Sequence, residues 1–266
     1  MTKLDNPLAI ITGTSRGIGA EYARILASQG YDLLLISRDE KRLTQFSQEL
    51  ETDYGIQAYI GALDLAKPGS AHELFVIAQN YRKTPDILIN NAGFGIYGEF
   101  AFQPMKPIQQ MLHLHLQTVV ESIRLFLPGM IERGGGAIIN VSSIAGMFPI
   151  PYMAEYAATK AFLISFSEAL AEEVRSTGVQ IQACCPGQTE TNFHSTAGFK
   201  PKNLFPIQTA TDVVQTSLAA LKKKQMFVTI GWPGKLFSVI AKWVPRKFLI
   251  KAAGQKIKKG LNKISA

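Results

Sequence analysis

Short, continuously apolar runs alternate with longer segments whose apolar residues recur at helical spacing, and this pattern constrains the 266-residue chain most. The runs at 8–12, 31–37, 56–63, 87–90, 137–142, 179–184 and 227–230 lack polar alternation. That is the signature of strands buried on both faces. Between them, 18–29, 40–54, 70–81, 105–133, 156–176 and 211–222 read as helices, with Gly30, Gly134 and Gly178 as stops. Strand–helix alternation of this length predicts an α/β fold. Its seven-stranded sheet is doubly wound and mostly parallel, with helices on both faces. With 47% hydrophobic residues the chain can fill one such core. Residues 1–230 are therefore expected to form a single domain, and 231–266 a C-terminal extension.

The first strand runs into Thr12-Gly13-Thr14-Ser15-Arg16-Gly17-Ile18-Gly19. Glycines there permit a tight turn and close backbone approach to a pyrophosphate, which rests on the following helix N-terminus. A glycine trio alone is weak, because turns use glycine anyway. At the first strand-to-helix turn of an alternating pattern, Gly13, Ser15, Arg16, Gly17, Ile18 and Gly19 mark a Rossmann-type dinucleotide site. An NAD site usually carries an acid about 20 residues further on, at the tip of the second strand. This chain has Ser37-Arg38. Arg38 with Arg16 would clamp a 2′-phosphate, so the sequence favours NADP(H) over NAD(H). Asp39, one residue later, keeps NAD(H) open.

Tyr156 and Lys160 are spaced i, i+4 on an expected helix, and Ser143 ends the fifth strand thirteen residues upstream. Open α/β sheets bind ligands at strand C-terminal ends, so the three can converge on one crevice. Tyr156 would give or take the proton of a carbonyl or alcohol oxygen, and Ser143 would hold that oxygen. Lys160 would bind the nicotinamide ribose. Its ammonium, together with oxidised nicotinamide, would lower the phenol pKa from about 10. Hydride transfer belongs to the cofactor. No metal is expected, since the four histidines lack ligand spacing.

On TGTSRGIG at 12–19, ALDL at 62–65, NNAG at 90–93, NVSS at 140–143, Tyr156-Ala-Ala-Thr-Lys160 and Pro186-Gly187 with Thr191, the chain resembles the short-chain dehydrogenase/reductase family over about residues 8–230. The resemblance implies that Asp64 and Leu65 contact adenine, Asn91 the cofactor and Thr191 the nicotinamide carboxamide. It also implies pairing into a homodimer or homotetramer through helices 105–133 and 156–176. One position departs: where similar enzymes carry an asparagine in the long fourth helix, this chain has His115. His115 is expected either to replace it in a proton relay titrating near neutral pH, or simply to pack. A catalytically weak NADPH-binding sensor stays open as the alternative to an oxidoreductase.

Met147, Phe148, Ile150, Tyr152, Met153, Phe193, Phe199 and Phe205 suggest an apolar substrate pocket, or else core. By analogy the substrate is acyl, lipid or steroid-like. The net charge of +8 is concentrated: residues 222–266 hold twelve Lys/Arg and no acid. There Leu236, Phe237, Ile240, Trp243 and Val244, then Phe248, Leu249, Ala253 and Ile257 beyond Pro245, alternate with lysines. The segment is expected to lie on an anionic membrane surface or to cover the cleft. Nucleic acid is not expected. Adjacent Cys184 and Cys185 offer no disulfide framework, and 1–7 lacks a signal-peptide apolar region. The expected location is cytoplasmic, soluble or peripheral to a membrane.

Overall fold

The computed structural model describes residues 6–81, 84–189, 207–231 and 244–261. Seven strands, β1 (Leu8–Thr12), β2 (Asp32–Ser37), β3 (Ala58–Ala62), β4 (Ile87–Asn90), β5 (Gly136–Val141), β6 (Val179–Cys185) and β7 (Phe227–Thr229), form one sheet in the order β3-β2-β1-β4-β5-β6-β7. Every pairing is parallel. Helices α1 (Gly17–Ser28), α2 (Glu40–Tyr54), α3 (Ser70–Gln79), α4 (Met105–Leu112), α5 (Thr118–Arg133), α6 (Ala154–Glu173) and α7 (Ala210–Lys222) make the crossovers, and α8 (Arg246–Leu261) follows β7. Chain order reverses between β1 and β4, which opens a crevice at their C-terminal ends.

Each sheet face has its own core. Tyr22 and Leu26 of α1, Leu43 and Leu50 of α2 and Val213 of α7 pack on one face. Leu74 of α3, Ile123 and Phe126 of α5 and Leu163 of α6 pack on the other. Burial on both faces is why the strands read as unbroken apolar runs. A polar chain secures the far side: the Tyr22 hydroxyl donates to Ser217 Oγ at 2.7 Å, and that hydroxyl donates to Gln182 Oε1 at 2.6 Å. It fixes α1, α7 and β6 relative to one another.

The segment 105–133, expected as one helix, runs without interruption but is not uniform. Between α4 and α5, His113–Gln117 forms a π-type turn. Such a turn carries one extra residue and rotates the helix face, and it is often found at functional sites. Here it carries His115. Among the described residues no helix is long and apolar enough to cross a membrane.

Candidate active site

The glycine loop holds its shape through backbone geometry that side chains would obstruct. Gly13 and Gly17 have φ of 73° and 63°, where a Cβ is disfavoured. A Cβ on Gly19 would lie 2.3 Å from the Gly13 carbonyl oxygen, so loop and helix touch only because that position is bare. Arg16, the N-cap of α1, gives the first turn no side-chain cap, and no acid lies in that turn. Its N–H groups are thus available to an anion. These residues fit a dinucleotide pyrophosphate.

Asn91, expected at the cofactor, lines the crevice but spends its amide on the loop. Nδ2 donates to the carbonyls of Thr12 at 2.9 Å and Gly13 at 3.2 Å. Thr12 Oγ1 in turn accepts from the backbone N–H groups of Asn91 and Ala92. At the tip of β2, Arg38 lines the crevice. Asp39 caps α2, its Oδ1 accepting from the Arg42 N–H at 3.1 Å. Asp64 and Leu65 also line the crevice. The Asp64 carboxylate accepts from Ala66 N–H, and the Leu65 carbonyl accepts from Thr118 Oγ1 at 2.8 Å.

Ser143, Tyr156 and Lys160 meet in the same crevice, whose volume is about 410 Å³. Parallel pairing sets Asn90 opposite Asn140. Asn90 Nδ2 donates to Asn140 Oδ1 at 2.8 Å, and Asn140 Nδ2 to Ser167 Oγ of α6 at 2.9 Å. This buried ladder locks α6 onto β4 and β5. Nearer the site, Ser142 Oγ donates to the Lys160 carbonyl at 2.7 Å, and Lys160 Nζ donates to the Val141 carbonyl at 2.9 Å. Ser143 caps the short 3₁₀ turn Ile144–Met147 by accepting from Ala145 N–H at 3.1 Å. A Cβ on Gly146 of that turn would come within 2.6 Å of the Lys160 carbonyl carbon. Strand end, turn and helix are thereby drawn together around the three side chains.

Burial controls their protonation. It pushes Tyr156 up to about 12, opposed by a hydrogen bond with Ser143. It also lowers Lys160 to about 8, because charge is disfavoured away from water. The Lys160 ammonium lies 5.7 Å from the Tyr156 ring centroid. The protein's own residues do not produce the lowering expected with oxidised nicotinamide bound: desolvation outweighs the hydrogen bond with Ser143, and the phenol holds its proton at neutral pH.

His115 is 1% exposed and has no nitrogen to spare. Thr159 Oγ1 donates to the Tyr156 carbonyl at 2.8 Å, so at its 2.9 Å contact with His115 it accepts from Nδ1–H. His115 Nε2 accepts from Phe94 N–H at 3.2 Å. The ring is therefore a neutral Nδ1–H tautomer. Its edge meets the Tyr156 ring, centroids 5.9 Å apart. Burial, then the Lys160 charge, hold its pKa well below the ordinary histidine value. This geometry corrects the expectation of a relay titrating near neutrality: protonation would break the bond from Phe94 N–H and bury a second cation.

Of the expected apolar residues, Phe148, Ile150 and Met153 line the crevice. Tyr152 packs beside it with φ of 67°. Thr191, Phe193, Phe199, Phe205, Leu236, Phe237, Ile240 and Trp243 lie outside the described residues. Phe94 and Tyr97 also line the crevice, although the sequence singled out neither. Both follow the glycine of NNAG, where loop residues show no periodicity to mark them. Ile257, read from sequence only as part of an amphipathic tail, is a third wall residue.

Residues 7–200 match the short chain dehydrogenase family model. The chain is 33% identical over 232 residues to a ketoacyl reductase, HetN, of Nostoc sp., covering 87% of this chain and 80% of that one. It is 36% identical over 182 residues to the human very-long-chain 3-oxoacyl-CoA reductase, covering 67% of this chain. The match spans 58% of that reductase's length. Among solved structures, a short-chain dehydrogenase from Sphingobium yanoikuyae in complex with NADPH superposes with a TM-score of 0.81 at 28% identity, covering 92% of this chain and 95% of that one. A glycine-loop dinucleotide cradle, a seven-stranded parallel sheet and a Ser/Tyr/Lys crevice at its switch point, with these matches, make the chain a member of the short-chain dehydrogenase family and an NAD(P)-dependent oxidoreductase.

Proposed function

We propose that the chain is an NADP(H)-dependent reductase of apolar carbonyl compounds, 3-oxoacyl thioesters foremost. One observation carries the reading: Ser143, Tyr156 and Lys160 share a single crevice with the glycine loop and Arg38, and with the apolar side chains of Phe94, Ile150 and Met153. The ketoacyl reductase among its relatives supports the substrate class. Arg38 in the crevice wall, with Asp39 withdrawn to cap α2, favours a 2′-phosphate over a bare ribose.

Gly13, Ser15, Arg16, Gly17, Ile18 and Gly19 would hold the pyrophosphate, Asp64 and Leu65 the adenine, and Lys160 the nicotinamide ribose. Asn91 would act through the loop it fastens, and Thr191 would hold the carboxamide. A bound reduced nicotinamide supplies the hydride. Ser143 Oγ and the Tyr156 hydroxyl hydrogen-bond the substrate's carbonyl oxygen and hold it in line. As negative charge grows on that oxygen, Tyr156 donates its proton. A phenol titrating near 12 is fully protonated and ready to do so. Lys160, charged below about pH 8, faces the phenolate left behind and stabilises it. His115 fixes the Phe94 backbone and Thr159, and through them the Tyr156 wall, as a positioning residue.

The catalytic unit in this reading is 1–230, with 231–266 as an extension whose helix α8 lies at the cleft and whose cations serve an anionic membrane surface. The location is cytoplasmic, in part membrane-associated. Pairing into a dimer or tetramer runs through α5 and α6, where exposed Phe162 stacks on Phe166 at 5.5 Å. The test is oxidation of NADPH and NADH over a panel of ketones, 3-oxoacyl thioesters and steroids. The reading requires turnover with NADPH on the acyl thioesters. Tight NADPH binding without turnover on any member overturns it in favour of a sensor.

A further inference from the structure

Helix α8 lies beyond the residues that match the family model, yet it reaches the reaction crevice. Its inward stripe is Leu249, Ile250, Ala253, Gly254, Ile257 and Gly260, all at least half-buried, while Phe248, Lys251, Lys256, Lys258 and Lys259 are exposed. The stripe is thin. Ile257 alone is deeply buried, at 4% exposure. It packs with Met111, Ala145, Met153 and Tyr156 and forms part of the crevice wall. One turn earlier the helix approaches so closely that a Cβ on Gly254 would stand 3.1 Å from Pro151 Cγ. A single apolar side chain on a cationic helix thus reaches the cluster that contains Tyr156.

We propose that Ile257 is the specificity-determining residue of this site, its volume setting how large an apolar group beside the reacting carbonyl the crevice admits. The inference rests on the reading of the crevice as a carbonyl site. The physical ground is packing: Ile257 occupies space that an acyl chain beside Tyr156 would need, and close-packed side chains do not compress. Shortening it gives that space to the substrate. Enlarging it takes more away.

The experiment is a substrate-length series, 3-oxoacyl thioesters and methyl ketones from four to twelve carbons, on wild type, Ile257→Ala, Ile257→Val and Ile257→Trp. In parallel, the affinity of each NADPH-loaded protein for a fluorescent long-chain fatty acid is read by titration. The long-to-short ratio of kcat/KM should rise in Ile257→Ala by about tenfold, in line with the discrimination a methylene or two provides. It should rise less in Ile257→Val and fall in Ile257→Trp, with fatty-acid affinity following the same order. Should the alanine variant not fold, the valine and tryptophan variants still move in opposite directions. Ratios and affinities that stay within twofold across the folded variants overturn the proposal. Wild-type protein that turns over no carbonyl while fatty-acid affinity still follows the size at 257 sinks the reductase reading and keeps the gate.

Discussion

Replacing His115 with leucine separates a packed, hydrogen-bonding histidine from a titrating one. The ring, itself almost wholly buried, accepts from Phe94 N–H and donates to Thr159 Oγ1, at 3.2 Å and 2.9 Å. Leucine keeps most of the volume and both apolar contacts, but it leaves the part-buried Phe94 N–H without its acceptor. Such an orphan costs about 1–3 kcal/mol. For a chain of this size that lowers Tm by roughly 2–12 °C. The histidine also contributes in a pH-independent way near neutrality. Because its pKa lies well below the ordinary value, it stays neutral from about pH 6.5 upward, and the wild-type log kcat/KM profile should show no limb near pH 6.5. Thermal melting of His115→Leu, with pH–rate profiles of wild type and His115→Asn, checks both statements. A wild-type limb near pH 6.5 that disappears in His115→Asn, or a leucine variant that melts like wild type, would refute the reasoning.

Arg38→Ala should weaken NADPH binding by about ten- to a hundredfold, the worth of a charge-assisted contact, and leave NADH within twofold; equal losses for both would remove Arg38 from the 2′-phosphate. Breaking the ladder at Asn140 should lower stability by about 1–3 kcal/mol through an orphaned Asn90 amide. Melting of Asn90→Ala, Asn140→Ala and the double variant should then show less than additive loss. Burial lowers Lys160 from 10.5 to about 8, so its charge in the native state is lost as pH rises through about 8 while an unfolded lysine keeps its own to about 10.5. The lysine's contribution to stability therefore rises with pH across that window, whereas kcat/KM for NADPH, which reports the free enzyme, falls as the ribose loses its cation. A flat profile over the same range contradicts the role given to Lys160.

The fold was legible because both sheet faces are covered. The apolar run at 8–12 coincides with β1 and 87–90 with β4, while the remaining strand ends coincide or differ by one or two residues, as where 56–63 narrows to Ala58–Ala62. Loop, strand end and helix also carried the site, since the glycines and the i, i+4 spacing of Tyr156 and Lys160 are local features. What sequence could not supply is tertiary. No periodicity marks the π-type turn at His113–Gln117, because its residues suit an ordinary helix. The protonation of Tyr156 depends on how deeply it lies, and the pairing of Asn90 with Asn140 on strand register. Ile257 is one isoleucine in a lysine-rich tail until α8 folds back over Pro151. That one Asp39 carboxylate oxygen accepts from the Arg42 N–H, capping α2, is likewise visible only in the fold.

The most direct test of the central claim is NADPH consumption in the presence of a medium-chain 3-oxoacyl thioester by wild type and by Tyr156→Phe, with NADPH affinity measured for both. Removing only the phenolic oxygen takes away the proposed proton donor and leaves the ring packed against His115. The account predicts turnover in wild type, a fall of at least about a hundredfold in Tyr156→Phe, the scale of a lost general acid, and near-equal NADPH affinity. Comparable turnover by the two proteins, or none by wild type despite tight NADPH binding, would contradict it.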